Sequence, residues 1–371
     1  MNFELSEEQE MLKNSVARFV QDHYGIDKRK AILAGDRGFS TENWQIFSEL
    51  GWLSIPFNEA SGGFGGNAVD IMVLMEELGK GLVSEPYLAT VLLFGSLVQA
   101  LGTPEQKADL LRRVMAGELQ GAFAWLERHS RFDLDDINTS ATPSAEAWLL
   151  NGEKTVVFNG ADEDQLLVSA RDSGDAAEIA LFLVDANAAG VSRQAYRLMD
   201  GQLVANIRLV QAPASRLGSG GNAFTAMQAQ VDAATLALCA EALGIMQYLQ
   251  ESTVEYARTR HQFGAPIGSF QALQHRLVET FMSCEQTRSM LYRAVCSTQE
   301  QSRQRQRDLH ALKMMVARNG KLVGSEAIQI HGGMGLTDEL PIGHYVKRLM
   351  MINTSFGNGD YHREKFVELG A

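Results

Sequence analysis

The sequence is short of cysteine, of proline and of positive charge. It has three cysteines, Cys239, Cys284 and Cys296. They form no C-x-x-C pair and have no histidine at ligand spacing, which excludes a zinc site or disulfide framework and fits a reducing compartment. Against 45 Asp and Glu stand 33 Lys and Arg, a formal charge of −12. A general nucleic-acid or membrane-surface binder needs a basic footprint that this balance does not give. No stretch of eighteen uninterrupted apolar residues occurs, so no membrane span is expected. The opening MNFELSEEQEM is acidic and lacks a basic-then-apolar leader. Seven prolines and 21% charged residues argue against wholesale disorder, and 45% apolar content in 371 residues suffices for two or three packed domains. The expectation is a soluble cytoplasmic protein without a metal site.

The pattern changes twice along the chain. Residues 1–118 read as helices. Ser6 with Gln9 makes a capping box ahead of a helical run, and Thr103-Pro104-Glu105-Gln106 repeats the signal with proline at the first helical position. The loop SGGFGG at 61–66 follows no strand and so does not read as a dinucleotide-binding turn. Residues 119–221 read as a compact antiparallel β domain. Trp148–Leu150, Asn151-Gly152 and Thr155–Phe158 suggest a two-residue hairpin, with further strands at 166–170, 179–184 and 203–210. Residues 222–371 return to helix, with segments near 222–259, 268–298, 307–330 and 338–352, and Gln299–Arg307 as a solvated turn. Four long helices imply a bundle. The fold class expected is multidomain α+β, in the order helical domain, β-barrel domain, four-helix bundle.

Two segments carry chemistry. In YARTRHQFGAPIGSFQALQHR, residues 256–276, a helix bearing Arg260 stops at Gly264 and Pro266, and the next presents Gln271 in its first turn. Arg260 offers a forked donor for a phosphate and Gln271 a directional amide, although the same residues also suit an ordinary helix corner. In QIHGGMG, residues 329–335, Gly332 and Gly333 either cap a helix or let a flat or phosphorylated ligand approach the backbone.

In combination, R-x-Q-F-G-x-P-I-x-x-F-Q followed about sixty residues later by Q-x-x-G-G-x-G resembles the acyl-CoA dehydrogenase family. The resemblance runs over essentially the whole chain. EELGKGLVSEPYLATVLL and NTSFGNGDYHRE are similar to the small subunits of pimeloyl-CoA dehydrogenase-like enzymes within it. The resemblance implies FAD held between subunits, with Arg260 and Gln271 touching the cofactor of a neighbour. Gln329, Gly332 and Gly333 would then lie on its adenosine side, with Phe263 lining the same site. Asn358, Asp360, Val157 and Phe158 would complete the cofactor set. It also implies an acyl-CoA substrate, loss of an α-proton to a carboxylate with β-hydride transfer to flavin, and reoxidation by an electron-transfer flavoprotein. The expected assembly is a homotetramer, or a heterotetramer with a larger homologous subunit.

The chain departs from that pattern where the chemistry is done. The family's catalytic Glu falls at Phe356, and its alternative position early in the first bundle helix falls at Ala234. The family's Gly-Thr-x-Glu reads Gly357-Asn358-Gly359-Asp360, its Thr-Glu-Pro flavin segment reads Leu126-Glu127-Arg128, and its Trp-Ile-Thr strand reads Val156-Val157-Phe158. Glu241 lies two turns beyond Ala234 on the same helix face, about 10 Å along, among apolar neighbours. A buried carboxylate there is either the base of an active enzyme or half of a structural ion pair. Asp232 is the other acid near that helix start, where a carboxylate also complements the dipole. Three functions follow: an FAD-dependent acyl-CoA dehydrogenase, a catalytically silent partner that completes a neighbour's FAD site in an α2β2 assembly, or a related flavin oxygenase.

Overall fold

A computed structural model of the chain describes residues 4–144, 147–174, 178–299 and 302–370. Helix starts follow the sequence closely. α1 (Glu7–His23) opens on a complete capping box between Ser6 and Gln9. It is followed by α2 (Ile26–Ala34), α3 (Thr41–Glu49) and α4 (Ala68–Gly81). After Pro86 the chain winds as a π-helix over Tyr87–Gly95 before α5 (Ser96–Leu101). α6 (Pro104–Met115) carries the second capping box, Thr103 with Gln106.

Seven strands follow: β1 (Gly121–Ala124), β2 (Ser140–Pro143), β3 (Trp148–Phe158), β4 (Gln165–Asp172), β5 (Ile179–Asp185), β6 (Val191–Arg197) and β7 (Leu203–Arg216). Their order is β1-β4-β2-β3-β7-β5, and β4 also pairs β5, so the path from β4 returns to β4 as a closed barrel. The interior is a continuous apolar set including Leu150, Leu166, Phe182 and Ile207. Two expectations are corrected here. The sheet is mixed, because β1 and β2 both run parallel to β4. Asn151-Gly152 is no hairpin turn. β3 runs straight through it with a bulge between Leu150 and Gly152, and a Cβ on Gly152 would lie 2.3 Å from the Thr139 hydroxyl oxygen. The glycine serves a close crossing inside the sheet. Strands β1, β2 and β6 were not foreseen, being short or largely polar.

The C-terminal helices are α7 (Phe224–Thr259), α8 (Gln271–Cys296), α9 (Ser302–His331) and α10 (Ile342–Thr354), with a shorter α11 (Gly359–Glu368) after them. Between α7 and α8 lies a ribbon of β8 (His261–Gln262) and β9 (Ala265–Pro266). The turn expected over Gln299–Arg307 is mostly helix, since α9 begins at Ser302; residues 300–301 lie outside the described set. Among the described residues one helix, α7, is long and apolar enough to cross a membrane, and 72% of its apolar window is buried inside the protein.

Contacts divide the chain into two units. One gathers the chain up to Ala31, then Ala68–Val83 and everything from Thr235 onward; the other holds Ile32–Asn67 and Ser84–Ala234. Within the first, α4 and α7 touch backbone to backbone at reciprocal glycines. A Cβ on Gly244 would lie 1.9 Å from the Glu76 carbonyl oxygen, and one on Gly79 would lie 2.2 Å from that of Glu241. Gly244→Ala should therefore force the helices apart and destabilise the protein by about 1–3 kcal/mol. Thermal unfolding at fixed protein concentration checks this, and an unchanged midpoint would refute the packing argument.

Candidate functional site

The predicted corner at 256–276 is built as an exposed ribbon. The Arg260 amide donates to the Tyr256 carbonyl at 2.8 Å and finishes α7; Ile267 N–H then donates to the Arg260 carbonyl at 2.8 Å and closes the ribbon. Phe263 and Gly264 form its tip with φ of 55° and 81°, the paired positive values of a two-residue hairpin turn. For an aromatic residue that backbone is disfavoured. Phe263 is nonetheless 93% exposed, and its ring meets that of Phe270 edge-on at 6.2 Å. Arg260 and Gln271 are both exposed, and Gln271 is the first residue of α8. Among the described residues Arg260 forms no ion pair.

The second predicted segment comes to the same place. Tyr256 stacks on His331 with centroids 4.3 Å apart, which joins the end of α7 to the end of α9. Burial holds the His331 imidazole below its usual pKa. Immediately beyond it, Gly332 has φ of 63°, and neither Gly332 nor Gly333 has an atom within 4 Å of where a Cβ would stand. Gln329 is exposed one turn earlier. Two motifs about sixty residues apart in sequence thus share one open surface.

Asn358 and Asp360 have local uses. The Asn358 side chain accepts from Tyr361 N–H at 2.9 Å as the N-cap of α11, and Asp360 pairs with Arg363 at 3.2 Å within that helix. Phe356 is buried with φ of 55°. The turn that carries it is gripped by Lys313, whose Nζ donates to the carbonyls of Ile352 (2.7 Å), Ser355 (2.8 Å) and Gly357 (3.0 Å). Burial pushes the Lys313 pKa down to about 8. Nothing in its sequence context marked this lysine.

In the barrel unit the segments 126–128 and 155–156 meet around a pocket of about 590 Å³. Thr155 N–H donates to the Leu126 carbonyl at 2.8 Å. Val156 sits at φ of 51°, and its N–H donates to Asn206 Oδ1 at 3.3 Å. Thr155 and Val156 line the pocket, whereas Val157 is packed into the barrel core and Phe158 does not line it. Glu127 lies at its inner wall. Burial works against its charge, but Lys154 Nζ at 2.7 Å and the Thr139 hydroxyl at 2.7 Å hold it below the usual carboxylate range. Lys154 is fully buried and burial pushes it down to about 8, Glu127 opposing the shift. Sequence reading missed Arg131, Tyr196 and Asn206 as pocket residues. The spacing Arg128-x-x-Arg131 just past a strand was the available signal for the first; the other two come from strands paired only in the fold.

Glu241 is bound on both oxygens. Arg348 Nε donates to Oε1 at 2.6 Å and Nη2 to Oε2 at 2.9 Å, with both side chains under a tenth exposed. This is the geometry of the structural alternative. Ala234 is fully buried, and Asp232 accepts from the Gln228 amide at 2.9 Å. Among the described residues no three His, Cys, Asp or Glu side chains cluster as a metal site.

Comparison with known proteins places these features in context. Residues 6–118 match the model described as acyl-CoA dehydrogenase, N-terminal domain; residues 122–209 match its middle domain and residues 221–368 its C-terminal domain. The chain is 28% identical over 374 residues to a probable acyl-CoA dehydrogenase of Bacillus subtilis, covering 98% of each. It is 26% identical to the L-prolyl-[peptidyl-carrier protein] dehydrogenase of a Serratia species, covering 98% of this chain and 97% of that one. Among solved structures, PigA with FAD and proline superposes with a TM-score of 0.90 at 26% identity, covering 100% of this chain and 99% of the other.

Proposed function

This chain belongs to the acyl-CoA dehydrogenase family, and from that premise we propose that it is a subunit of an FAD-dependent oxidoreductase that desaturates an acyl thioester between its α and β carbons. The observation that carries the reading is that the exposed corner bearing Arg260, Phe263 and Gln271 is joined, through the Tyr256–His331 stack, to the end of α9 where exposed Gly332 follows. Cofactor residues that face outward need a second subunit to complete the site, so the reading includes an oligomer. Exposed apolar side chains along α8, Val278, Phe281 and Met282, give it a face to assemble on. The three-domain boundaries expected at 118/119 and 221/222, a cytoplasmic location and an electron-transfer flavoprotein as acceptor belong to the same proposal.

The residues present fit FAD. An exposed guanidinium that forms no ion pair among the described residues, and the open positive-φ Gly264 of the same ribbon, suit a diphosphate, and the pocket beside Leu126 and Val156 suits a flat ring. Arg260 would neutralise phosphate charge, Gln271 would orient a polar group, and the barrel wall would exclude water. When bound, FAD supplies the two-electron acceptor. The α-proton needs an acceptor that neither Phe356 nor Ala234 supplies. Glu241 can take a proton only by giving up the charge that holds Arg348 on both its oxygens. These facts favour a second reading on the same fold, in which the chain completes a partner's site and the partner supplies the base.

Arg260→Ala removes a charge-assisted phosphate contact worth about 1.5–3 kcal/mol. The variant is expected to purify depleted in flavin, read from absorbance at 450 nm against protein, and unchanged flavin content and affinity would overturn the assignment. Light scattering with and without a co-expressed homologous subunit separates the readings. Yellow protein reduced by a thioester on its own supports the enzyme, whereas flavin bound only in the mixed assembly supports the partner.

A further inference from the structure

We propose that the hollow among α1, α2, α4, α7 and the start of α10 binds a small organic carboxylate with a flat or short apolar body. Every residue that lines it belongs to the unit made of the chain up to Ala31, Ala68–Val83 and everything from Thr235 onward. The hollow is remote from the flavin surface. Along α7, Tyr248 stands fourteen residues after Ala234 and twelve before Arg260, about 21 and 18 Å at the helical rise. Its ligand is therefore neither the cofactor nor the reacting part of a substrate.

The space contrasts with the packing around it. α4 meets α7 backbone to backbone at Gly79 and Gly244, and a Cβ on Gly81 would lie 2.6 Å from the Val20 side chain. Beside these contacts a hollow of about 460 Å³ stays open. Packed interiors seldom keep voids larger than a water molecule, whereas small-ligand sites have volumes of this order. Its walls are held in place. Tyr248 and Tyr345 stack with ring centroids 4.0 Å apart and planes within 9° of parallel, and the Tyr345 hydroxyl donates to the Lys80 carbonyl at 2.5 Å. Arg29 is only 3% exposed, and its Nε donates to the Leu82 carbonyl at 2.9 Å. Leu82 has φ of 53°, a backbone that a leucine adopts only at a cost, and strain of this kind concentrates at ligand sites.

The charges that line the hollow select the ligand. Arg29 and Lys80 are cations and Glu77 is the one acid among them. Glu77 is 4% exposed and its Oε1 is bound by Lys80 Nζ at 2.6 Å. Asp338, on the loop that leads into α10, is held by Lys30 at 3.4 Å and His344 at 3.2 Å. An entering anion thus meets a surplus of positive charge, and the planar guanidinium fork of Arg29 matches a carboxylate. Tyr24, Ile26 and Pro341 add apolar surface, and the stacked Tyr248 and Tyr345 add aromatic surface. A carboxylate with a ring or a short chain satisfies both parts.

Calorimetric titration of the full chain with benzoate and hexanoate, and with benzamide and hexanamide as their uncharged counterparts, tests the class. At least one acid is expected to bind with a Kd of about 1 mM or tighter, and about 10-fold or more above its amide. Ala17→Trp fills the hollow and leaves Arg29, Lys80 and Glu77 in place; Gln21→Trp does so from the exposed rim. Whichever of the two keeps the parent's melting temperature should lose about 10-fold or more of the acid's affinity. Equal binding of acid and amide, binding that survives in the filled variants, or no binding of any probe overturns the proposal. So does an acid that displaces bound flavin, because the two sites would then be one. Protein that binds the acid but never takes up flavin leaves the carboxylate site standing and sinks the oxidoreductase reading instead.

Discussion

Replacing Arg348 with methionine should destabilise the protein by about 3–5 kcal/mol, because it leaves the Glu241 carboxylate buried without its cation. Glu241 is only 6% exposed, and both its oxygens are spoken for by one guanidinium. Its surroundings offer little alternative solvation: Leu238, Cys239, Ala240, Ala242 and Leu243 are all buried, and the backbone of α4 closes on its own carbonyl at Gly79. Thermal and urea unfolding at matched protein concentration measure the loss. The double variant Glu241→Met/Arg348→Met removes both charges with similar volume, and should recover most of it. Comparable losses in the single and double variants would show that the pair itself, and not an orphaned charge, stabilises the bundle.

The double variant also decides the chemistry. If Glu241 were the proton acceptor, replacing it would slow flavin reduction by about 100-fold or more with FAD retained. The pair's geometry leads to the opposite expectation: FAD retained and the rate of reduction by an active thioester largely kept. The base would then lie on Asp232 or on a neighbouring subunit.

Elements governed by local signals could be read from the sequence, and elements governed by pairing could not. Ser6 with Gln9 and Thr103 with Gln106 mark helix starts because a capping box is complete within four residues. Arg260, Phe263 and Gly264 mark a corner because chain reversal after α7 needs positive-φ positions there. Asn151-Gly152 misled for the complementary reason. The pair has turn chemistry, but its glycine answers to Thr139, the residue just before β2. Glu241 could be placed in an apolar interior by helical spacing, whereas its partner Arg348 lies over a hundred residues away and only the packed bundle pairs them. Tyr196 and Asn206 share a pocket through the pairing of β6 with β7, which carries no signature in any one segment.

The contribution of one carboxyl, Glu163, to stability should fall from about pH 4.5 to pH 7, against the opposite trend of His310 and His362, whose burial holds them well below the usual imidazole pKa. Glu163 is 3% exposed, and neither oxygen has a hydrogen-bond partner on another residue among those described. Burial raises its pKa from 4.5 to about 7; its own backbone N–H and then Arg193 oppose the shift, and the nearby acids Asp162 and Asp164 add to it. Arg193 Nη1 comes only to 3.7 Å, too far for a hydrogen bond, and that guanidinium already donates to the carbonyls of Ala161 and Ala186. Desolvation therefore wins. Below pH 4.5 the carboxyl is protonated in folded and unfolded chains alike, and the site carries no charge penalty. Between pH 4.5 and 7 the unfolded chain ionises first, so stability falls; above pH 7 the folded chain ionises too, and the loss levels off. A shift of about 2.5 units corresponds to at most about 3 kcal/mol. Glu163→Gln keeps the shape and cannot ionise, so its advantage over the parent should be small at pH 4.5 and grow to about 1–3 kcal/mol at pH 8. Melting temperatures of the two proteins across that range measure the difference, and curves that stay parallel would mean that Glu163 reaches water or a partner in solution.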